Sequence, residues 1–412
     1  MSAAPDQTGL QRTITLIPWY QLINNLLFWQ AVWFLYFQSE LSGAEAIILY
    51  TVYDISVTVM EVPSGYFSDR IGRRWTLMLS ALCALTGCIA LAIGGSFAVL
   101  ALGQCMLGAS SAFKSGTDSS LLFESLTAAG RSEEIEAQEV RVWRFSLTGL
   151  ALSAVIGGAL SLWSPVVPFY ATAAAFAVVL VLVLLIQEPP AHAGTVIRVR
   201  DQLSALRLAL LNPVLKWLFV MSVLMYAFSH LPFVFGQPFI LTTLESYGLT
   251  TEAPLVSGMA TSAMMIVAAL ASLIALAMRR RLGLPLLLLF AFGLQIALAG
   301  ALALSTSALV IGVLLLRMVP DSLSGPFITA RMQPLLEDST RATYLSLQSL
   351  GGKVFFATTL LFAATSATDA GLLPADDLQR ILGWYTAGGL ASMALLALSA
   401  RYIALEPPQN TE

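Results

Sequence analysis

The sequence predicts an all-α integral membrane protein of twelve transmembrane helices, arranged as two six-helix halves with both termini cytoplasmic. Three observations predict it. Hydrophobic residues fill 57% of the 412 positions and charged residues only 11%, against about 25% charged in a soluble domain. Apolar runs of roughly 20 residues, enough to cross about 30 Å of hydrocarbon as helix, recur along the whole length. Lys and Arg fall on alternate loops, the asymmetry that membrane insertion imposes.

Taken in order, the apolar stretches place spans at 14–38, 45–66, 75–95, 97–123, 138–163, 165–187, 214–242, 252–278, 284–304, 307–331, 341–366 and 378–404. The first begins after the polar Met1 to Thr13 and lacks a small-residue cleavage site, so it reads as a retained span. Between the sixth and seventh lies the longest polar connection, Glu188 to Pro213. It separates a half at 1–187 from a half at 214–412. Its Arg198, Arg200 and Arg207 alternate with Val199, Leu203, Leu206 and Leu210, the pattern of a short helix lying on a membrane surface.

Loops after spans 2, 4, 6, 8 and 10 carry Arg70, Arg73, Arg74, Arg131, Arg198, Arg200, Arg279, Arg280, Arg281 and Arg341. The loops after spans 1, 3, 5, 7 and 9 carry no Lys or Arg, and that after span 11 only Arg380. A shift of 209 residues places Arg70 on Arg279, Ser115-Gly116 on Ser324-Gly325 and Arg144 on Lys353. That weak repeat fits parallel halves related by an axis along the membrane normal, with a substrate cavity between them.

An ionisable group inside a span is costly unless it is paired or faces water, so each one is a functional candidate. Asp54 and Glu61 stand seven residues apart on span 2, roughly 10 Å along one helix face. Both are candidate proton carriers, as is Asp118 of span 4. Glu61 fits equally a permanent pair with a basic residue such as Arg144. Lys114 and Asp118, and Arg317 and Asp321, are each spaced four apart, where an ion pair on one face eases insertion. Arg317, Asp321, Lys353 and His230 fall near the middle of their spans, the depth at which an alternating-access carrier binds its cargo. Span 1 offers Gln21, Asn24, Asn25 and Phe28 on one face, with Trp29 close by, and Gln237 and Gln348 add uncharged polar groups. Such a set suits a small organic molecule rather than a bare inorganic ion.

"GYFSDRIGRR", residues 65–74, concentrates four charges next to a membrane span. A glycine there admits a neighbouring helix to the backbone. Asp69 can accept from free N–H groups at a helix N-terminus. Arg73 and Arg74 can pair with Glu133, Glu134, Glu136 or Glu139 of the next loop on that side.

Gly65, Asp69, Arg70, Gly72, Arg73 and Arg74 match GxxxDRxGRR, and in this the chain resembles the bacterial, proton-coupled drug and metabolite branch of the major facilitator superfamily. The resemblance covers essentially the whole chain. It implies that the loop latches the two halves on the cytoplasmic face by meeting the start of helix 11, here near Arg341 to Leu345. "DISVTVMEVPSGYFSD" and "RATYLSLQSL" look like helix 2 and the opening of helix 11 of that group. The GxxxGPxxGG of proton-driven drug antiporters survives only in part, as Gly149, Ser153, Ala154, Gly157 and Gly158. Export is the preferred direction, and import of a nutrient or metal chelate is the alternative.

Other classes find no support. No GxxxxGKS, HExxH or GxSxG motif occurs, and the two histidines are His192 and His230, so the chain reads as a carrier and not an enzyme. Cys83, Cys88 and Cys105 lie in apolar runs and suggest neither a disulfide nor a metal site. A net charge of −3 without a basic stripe argues against nucleic acid. The expectation is a monomer in the bacterial inner membrane, using protons and a small-molecule substrate as partners beside the lipids, with no cofactor.

Overall fold

The computed structural model describes residues 7–31, 33–41, 43–189, 199–246, 253–304, 315–338, 340–365 and 375–406. Every regular element among them is a helix. The N-terminal part holds α1 (Gln7–Asn24), α2 (Trp33–Glu40), α3 (Gly43–Ile71), α4 (Arg73–Ile93), α5 (Phe97–Lys114), α6 (Thr117–Ala128), α7 (Ile135–Ser161) and α8 (Val167–Leu185). After α9 (Val199–Leu211) come α10 (Pro213–Ser246), α11 (Ala253–Leu304), α12 (Val319–Met332), α13 (Arg341–Thr365) and α14 (Ala375–Ser399). Among the described residues, seven helical segments are long and apolar enough to cross a membrane: 73–93, 97–128, 132–161, 167–185, 213–231, 261–304 and 379–399.

Two hydrophobic cores organise the molecule. One gathers Ile14, Tyr20, Phe37, Leu77, Leu91, Phe169 and Val179 of the N-terminal helices. The other gathers Trp217, Met221, Phe228, Leu288, Phe292 and Phe327 of the C-terminal helices. The bundles meet along two seams, α3 against α13 and α7 against α11 and α12. A small cluster of Leu147, Ala151, Met265 and Ala268 fills the second seam. There Trp143 Nε1 donates to Ser322 Oγ at 2.9 Å, and Arg144 Nε to Ser272 Oγ at 3.1 Å.

Several expected spans differ in detail. The first, expected at 14–38, starts earlier and breaks after Asn24, followed by a 3-10 turn at Phe28–Ala31. Backbone groups freed inside a membrane must find partners within the protein. Here Phe28 N–H donates to Thr172 Oγ1 at 3.0 Å, and Ser153 Oγ donates to the Asn25 carbonyl at 3.3 Å. The fourth, expected as one helix at 97–123, is interrupted at Ser115-Gly116, where Gly116 takes φ 72° and α6 starts in a new direction. The eighth and ninth are joined without an unstructured loop, and the chain changes direction at Gly283 with φ 75°. Of the tenth, expected at 307–331, positions 307–314 lie outside the described residues, and helix begins at Val319.

The bundles share one construction. In the first, Gly72 at φ 116° precedes α4, and the Glu188 carboxylate beyond α8 accepts the N–H of Arg73 at 2.5 Å and of Arg74 at 3.4 Å. In the second, Gly283 precedes the last segment of α11, and the Glu406 carboxylate beyond α14 accepts the Leu284 N–H at 2.5 Å. A carboxylate at a helix N-terminus is favoured both by free N–H groups and by the aligned peptide dipoles. Burial nevertheless pushes the Glu188 carboxyl above its ordinary range, and the two N–H donors offset only part of that. Glu406 is more open. Burial raises it too, but the Arg279 guanidinium and the Leu284 N–H outweigh that and hold it below the usual carboxylate range.

Candidate functional site

The charges of 65–74 lie at one end of the seam between α3 and α13. Asp69, whose side chain is fully buried, accepts the N–H of Ala342 at 3.1 Å and of Thr343 at 2.9 Å, and the Thr343 hydroxyl at 2.6 Å. It thus occupies the N-terminus of α13 from the opposite bundle, and Arg73 Nη1 holds its Oδ1 at 2.5 Å. Gly65 lets the helices come this close. A Cβ there would lie 2.9 Å from the Ala342 carbonyl oxygen and from Thr343 Cα.

Around Asp69 the ionic partners differ from those expected. Arg73 pairs with Glu124 of α6 at 2.8 Å and reaches the Asp338 carbonyl at 3.1 Å. Arg341 binds the same Glu124 at 3.1 Å and Asp338 at 2.5 Å, with its guanidinium 4.7 Å over the Phe123 ring. Arg74 donates to the carbonyls of Val183 and Leu184 at 3.2 and 2.7 Å. The expected pairing of Arg73 and Arg74 with Glu133, Glu134, Glu136 or Glu139 is therefore corrected. Glu134 pairs with Arg131 at 2.5 Å and Glu136 with Arg279 at 3.1 Å, while Glu139 Oε1 is buried without a hydrogen bond. The reason is the break before α6, which turns Glu124 towards Arg73 and Arg341. Arg70 is exposed and donates to the Tyr66 hydroxyl at 2.6 Å.

One pair bridges the bundles farther along the same seam. Glu61, 0% exposed, accepts from Lys353 Nζ at 2.6 Å. Its partner is thus on α13 and not Arg144. Beside it opens a cavity of about 650 Å³ between the bundles. Tyr53, Asp54 and Ser111 line it from one side, and Tyr226, His230, Arg317, Lys353 and Phe356 from the other. Tyr226 and His230 stack with ring centroids 4.1 Å apart, and Phe356 stands 5.4 Å from His230. His230 Nδ1 lies 2.8 Å from the Tyr226 carbonyl, so in the neutral ring Nδ1 carries the hydrogen and Nε2 is an acceptor. A cavity of this size, with both signs of charge and an aromatic wall, accommodates a small organic molecule.

Other candidates lie elsewhere. Asn24 is buried at the end of α1, and Asn25 donates to the Gln21 carbonyl at 2.7 Å. Trp29 packs on the N-terminal core. None of these three lines the cavity. Asp118 accepts from Gln21 Nε2 and from the Ser119 N–H, both in its own bundle. Asp321 accepts from Ser229 Oγ at 2.8 Å and Gln295 Nε2 at 3.1 Å. Gln348 lines a smaller chamber nearer Asp69. The side chain of Gln237 lies outside the described residues. Glu124, Glu188, Glu406, Tyr53 and Tyr226 escaped the sequence reading. Glu124, Glu188 and Glu406 each carried a signal there, a carboxylate one or two residues past a predicted span end.

Known structures share this architecture. A bacterial homologue of the iron transporter ferroportin, crystallised in an outward-facing state, superposes with a TM-score of 0.72 at 18% identity, over 94% of this chain and 99% of that one. The human organic anion transporter MFSD10 (TETRAN) gives 0.68 at 16% identity, with the same shares covered. The nucleoside transporter NupG gives 0.64 at 15%, over 95% and 99%. At such identities the likeness establishes the fold. No curated protein matches the chain. Residues 15–357 match the Major Facilitator Superfamily model, and with that span, the two bundles and the cavity between them, the chain belongs to the Major Facilitator Superfamily.

Proposed function

We propose that the chain is a secondary active transporter that carries a small organic solute across the bacterial inner membrane by alternating access. In this reading twelve spans form halves at 1–187 and 214–412, joined by 188–213, with both termini cytoplasmic and the chain a monomer. The observation that carries the reading is the cavity between the bundles, lined by Asp54, Arg317 and Lys353 and shut at one end where Asp69 occupies the N-terminus of α13. If the basic loops are cytoplasmic, the closed end is the cytoplasmic one and the cavity is outward-facing. The outward-facing ferroportin homologue supports that reading.

Asp69, Gly65, Gly72, Arg70, Arg73 and Arg74 form the cytoplasmic gate. Protons drive the cycle. Asp54, an exposed carboxyl in the cavity, exchanges protons with the solution. Glu61 loses its Lys353 partner when the α3 and α13 seam opens, and a buried carboxylate left alone must take up a proton. Export is the preferred direction. Import of a zwitterionic or anionic nutrient, or of a metal chelate, is the second reading, favoured by the mixed charge of Asp54, Arg317 and Lys353.

The test is accumulation of labelled drugs, dyes, metabolites and metal chelates in cells expressing the wild type or Asp54→Asn. Lower accumulation with the wild type identifies an exporter and its chemical class. Higher accumulation, lost in the variant, identifies an importer. No difference from cells lacking the protein, for any compound, removes the transport reading for that panel's classes.

A further inference from the structure

Below the main cavity, towards Asp69, lies a chamber of about 260 Å³. Its walls carry Ser119, Ser222, Thr329, Gln348 and Ser349, hydroxyls and an amide contributed by both bundles, and none of its lining residues is charged. The cavity above it differs in kind, with Asp54, Arg317 and Lys353 in its wall. Tyr226 lines both spaces. Its ring is held from two directions. It stacks on His230 at 4.1 Å, and it rests on the bare backbone of Gly352, where a Cβ would lie 2.8 Å from Tyr226 Cγ. The chamber's floor is equally tight: Leu345 Cβ stands 2.8 Å from where a Cβ on Gly116 would sit, and Ser346 Oγ donates to the Ser115 carbonyl at 3.3 Å one step below. Cavity, Tyr226, chamber, Leu345 and Asp69 therefore follow one another along the seam between the bundles.

We propose that the chamber is a second solute station, one that receives uncharged hydrogen-bonding groups such as hydroxyls and amides, and that the Tyr226 ring is the partition between it and the main cavity. The proposal rests on the alternating-access reading given above. Hydroxyl and amide walls replace the water around a neutral polar group, whereas a bare charge entering a space without a counter-charge loses more hydration than those walls return. The partition thus separates a station that holds charge from one that rejects it. A planar ring seated against a glycine leaves by rotation of its own side chain, without separation of the bundles.

Thiol labelling tests this without a known substrate. In full-length protein with Cys83, Cys88 and Cys105 replaced by Ser, Ser349→Cys reports on the chamber and Ser111→Cys on the main cavity. Three methanethiosulfonates of similar size, with hydroxyethyl, aminoethyl and sulfonatoethyl tails, are applied from the outward side. Minor side-chain arrangements are populated at about 10% or less, so removing the ring in Tyr226→Ala speeds labelling of Ser349→Cys about tenfold or more. Ser111→Cys reacts at an unchanged rate, and Tyr226→Phe, which keeps the ring, labels more slowly than Tyr226→Ala. In Tyr226→Ala the hydroxyethyl reagent outruns both charged ones at Ser349→Cys by more than it does at Ser111→Cys. Unchanged labelling of Ser349→Cys in Tyr226→Ala, with Ser111→Cys reactive, overturns the partition alone. Equal reagent preference at the two positions overturns the assignment to uncharged groups. An unreactive Ser111→Cys overturns the outward-facing reading, and the proposal with it.

Discussion

Asp69 and Thr343 meet twice, through the backbone N–H at 2.9 Å and the hydroxyl at 2.6 Å, although 274 positions separate them in the chain. Together with the Ala342 N–H and Arg73 they surround a carboxylate that has no exposed surface. All acceptor capacity of Asp69 is spent between the two bundles and the Arg73 side chain beside it. The contact exists only while the bundles are closed at that end.

Asp69→Asn tests what the contact holds. The amide keeps the shape but turns an NH₂ group towards either a backbone N–H or Arg73. A hydrogen bond to a charged group contributes about 1.5–3 kcal/mol, so closure weakens by roughly tenfold to a hundredfold. Leu345→Cys, which sits in the first turns of α13, then reacts faster with reagent added from the Asp69 end, and turnover falls while membrane insertion persists. Unaltered reactivity and turnover would remove the gate assignment.

Glu61 and Lys353 form an ion pair in which the carboxylate is 0% exposed. Removing one partner of a buried pair costs about 3–5 kcal/mol, because the other charge stays behind unpaired, whereas replacing both by neutral groups costs far less. Glu61→Gln and Lys353→Met each lower thermal stability of the purified protein, and the double variant loses less than the sum. Strict additivity of the two losses would show that the residues act independently.

Asp54 is set apart from that pair by its exposure to the cavity. Asp54→Asn therefore folds normally, exchanges solute across a membrane and fails to accumulate it against a gradient when a pH difference is imposed. Proteoliposome flux with and without a pH gradient separates the two abilities. Gradient-driven accumulation at the wild-type level would move the proton role to another group.

Glu406 makes a pH-dependent contribution to stability. Its carboxyl is held below the ordinary range by Arg279 and the Leu284 N–H, against the opposing effect of burial. A depressed folded value means stability that is present above the unfolded carboxylate value of about 4.3 and is lost as pH falls through the folded one. Glu406→Gln therefore melts below the wild type at neutral pH, and the two curves converge in acid. A gap that stays constant down to the acid limit would assign the effect to packing.

The Asp69 contact was legible in part: the glycine and the carboxylate four residues on are local and point to some helix start with free N–H groups, whereas the choice of the Arg341–Leu345 start came from the family resemblance. The partners of Arg73 were not legible, since Glu124 reaches them only after the chain breaks at Ser115-Gly116 and sets out again as α6. The same limit explains Asn25 and Phe28. Reading them on one face with Gln21 and Asn24 assumes an unbroken helix, and the helix ends at Asn24. Asp54, Arg317 and Lys353 were found for a better reason, since a charge deep in an apolar span is expensive wherever it points. Asp321 shows the opposite outcome, its cost being met by Ser229 and Gln295 inside its own bundle.

Glu188 and Glu406 give each bundle its own clasp, the tail of its last helix hooked under the start of an earlier one. Neither clasp borrows a residue from the other bundle. Each carboxylate therefore fastens its own bundle, while Arg279, which also holds Glu406, reaches across to Glu136 of the other one. A cut in the polypeptide between Pro189 and Val199 removes none of the residues of either fastening.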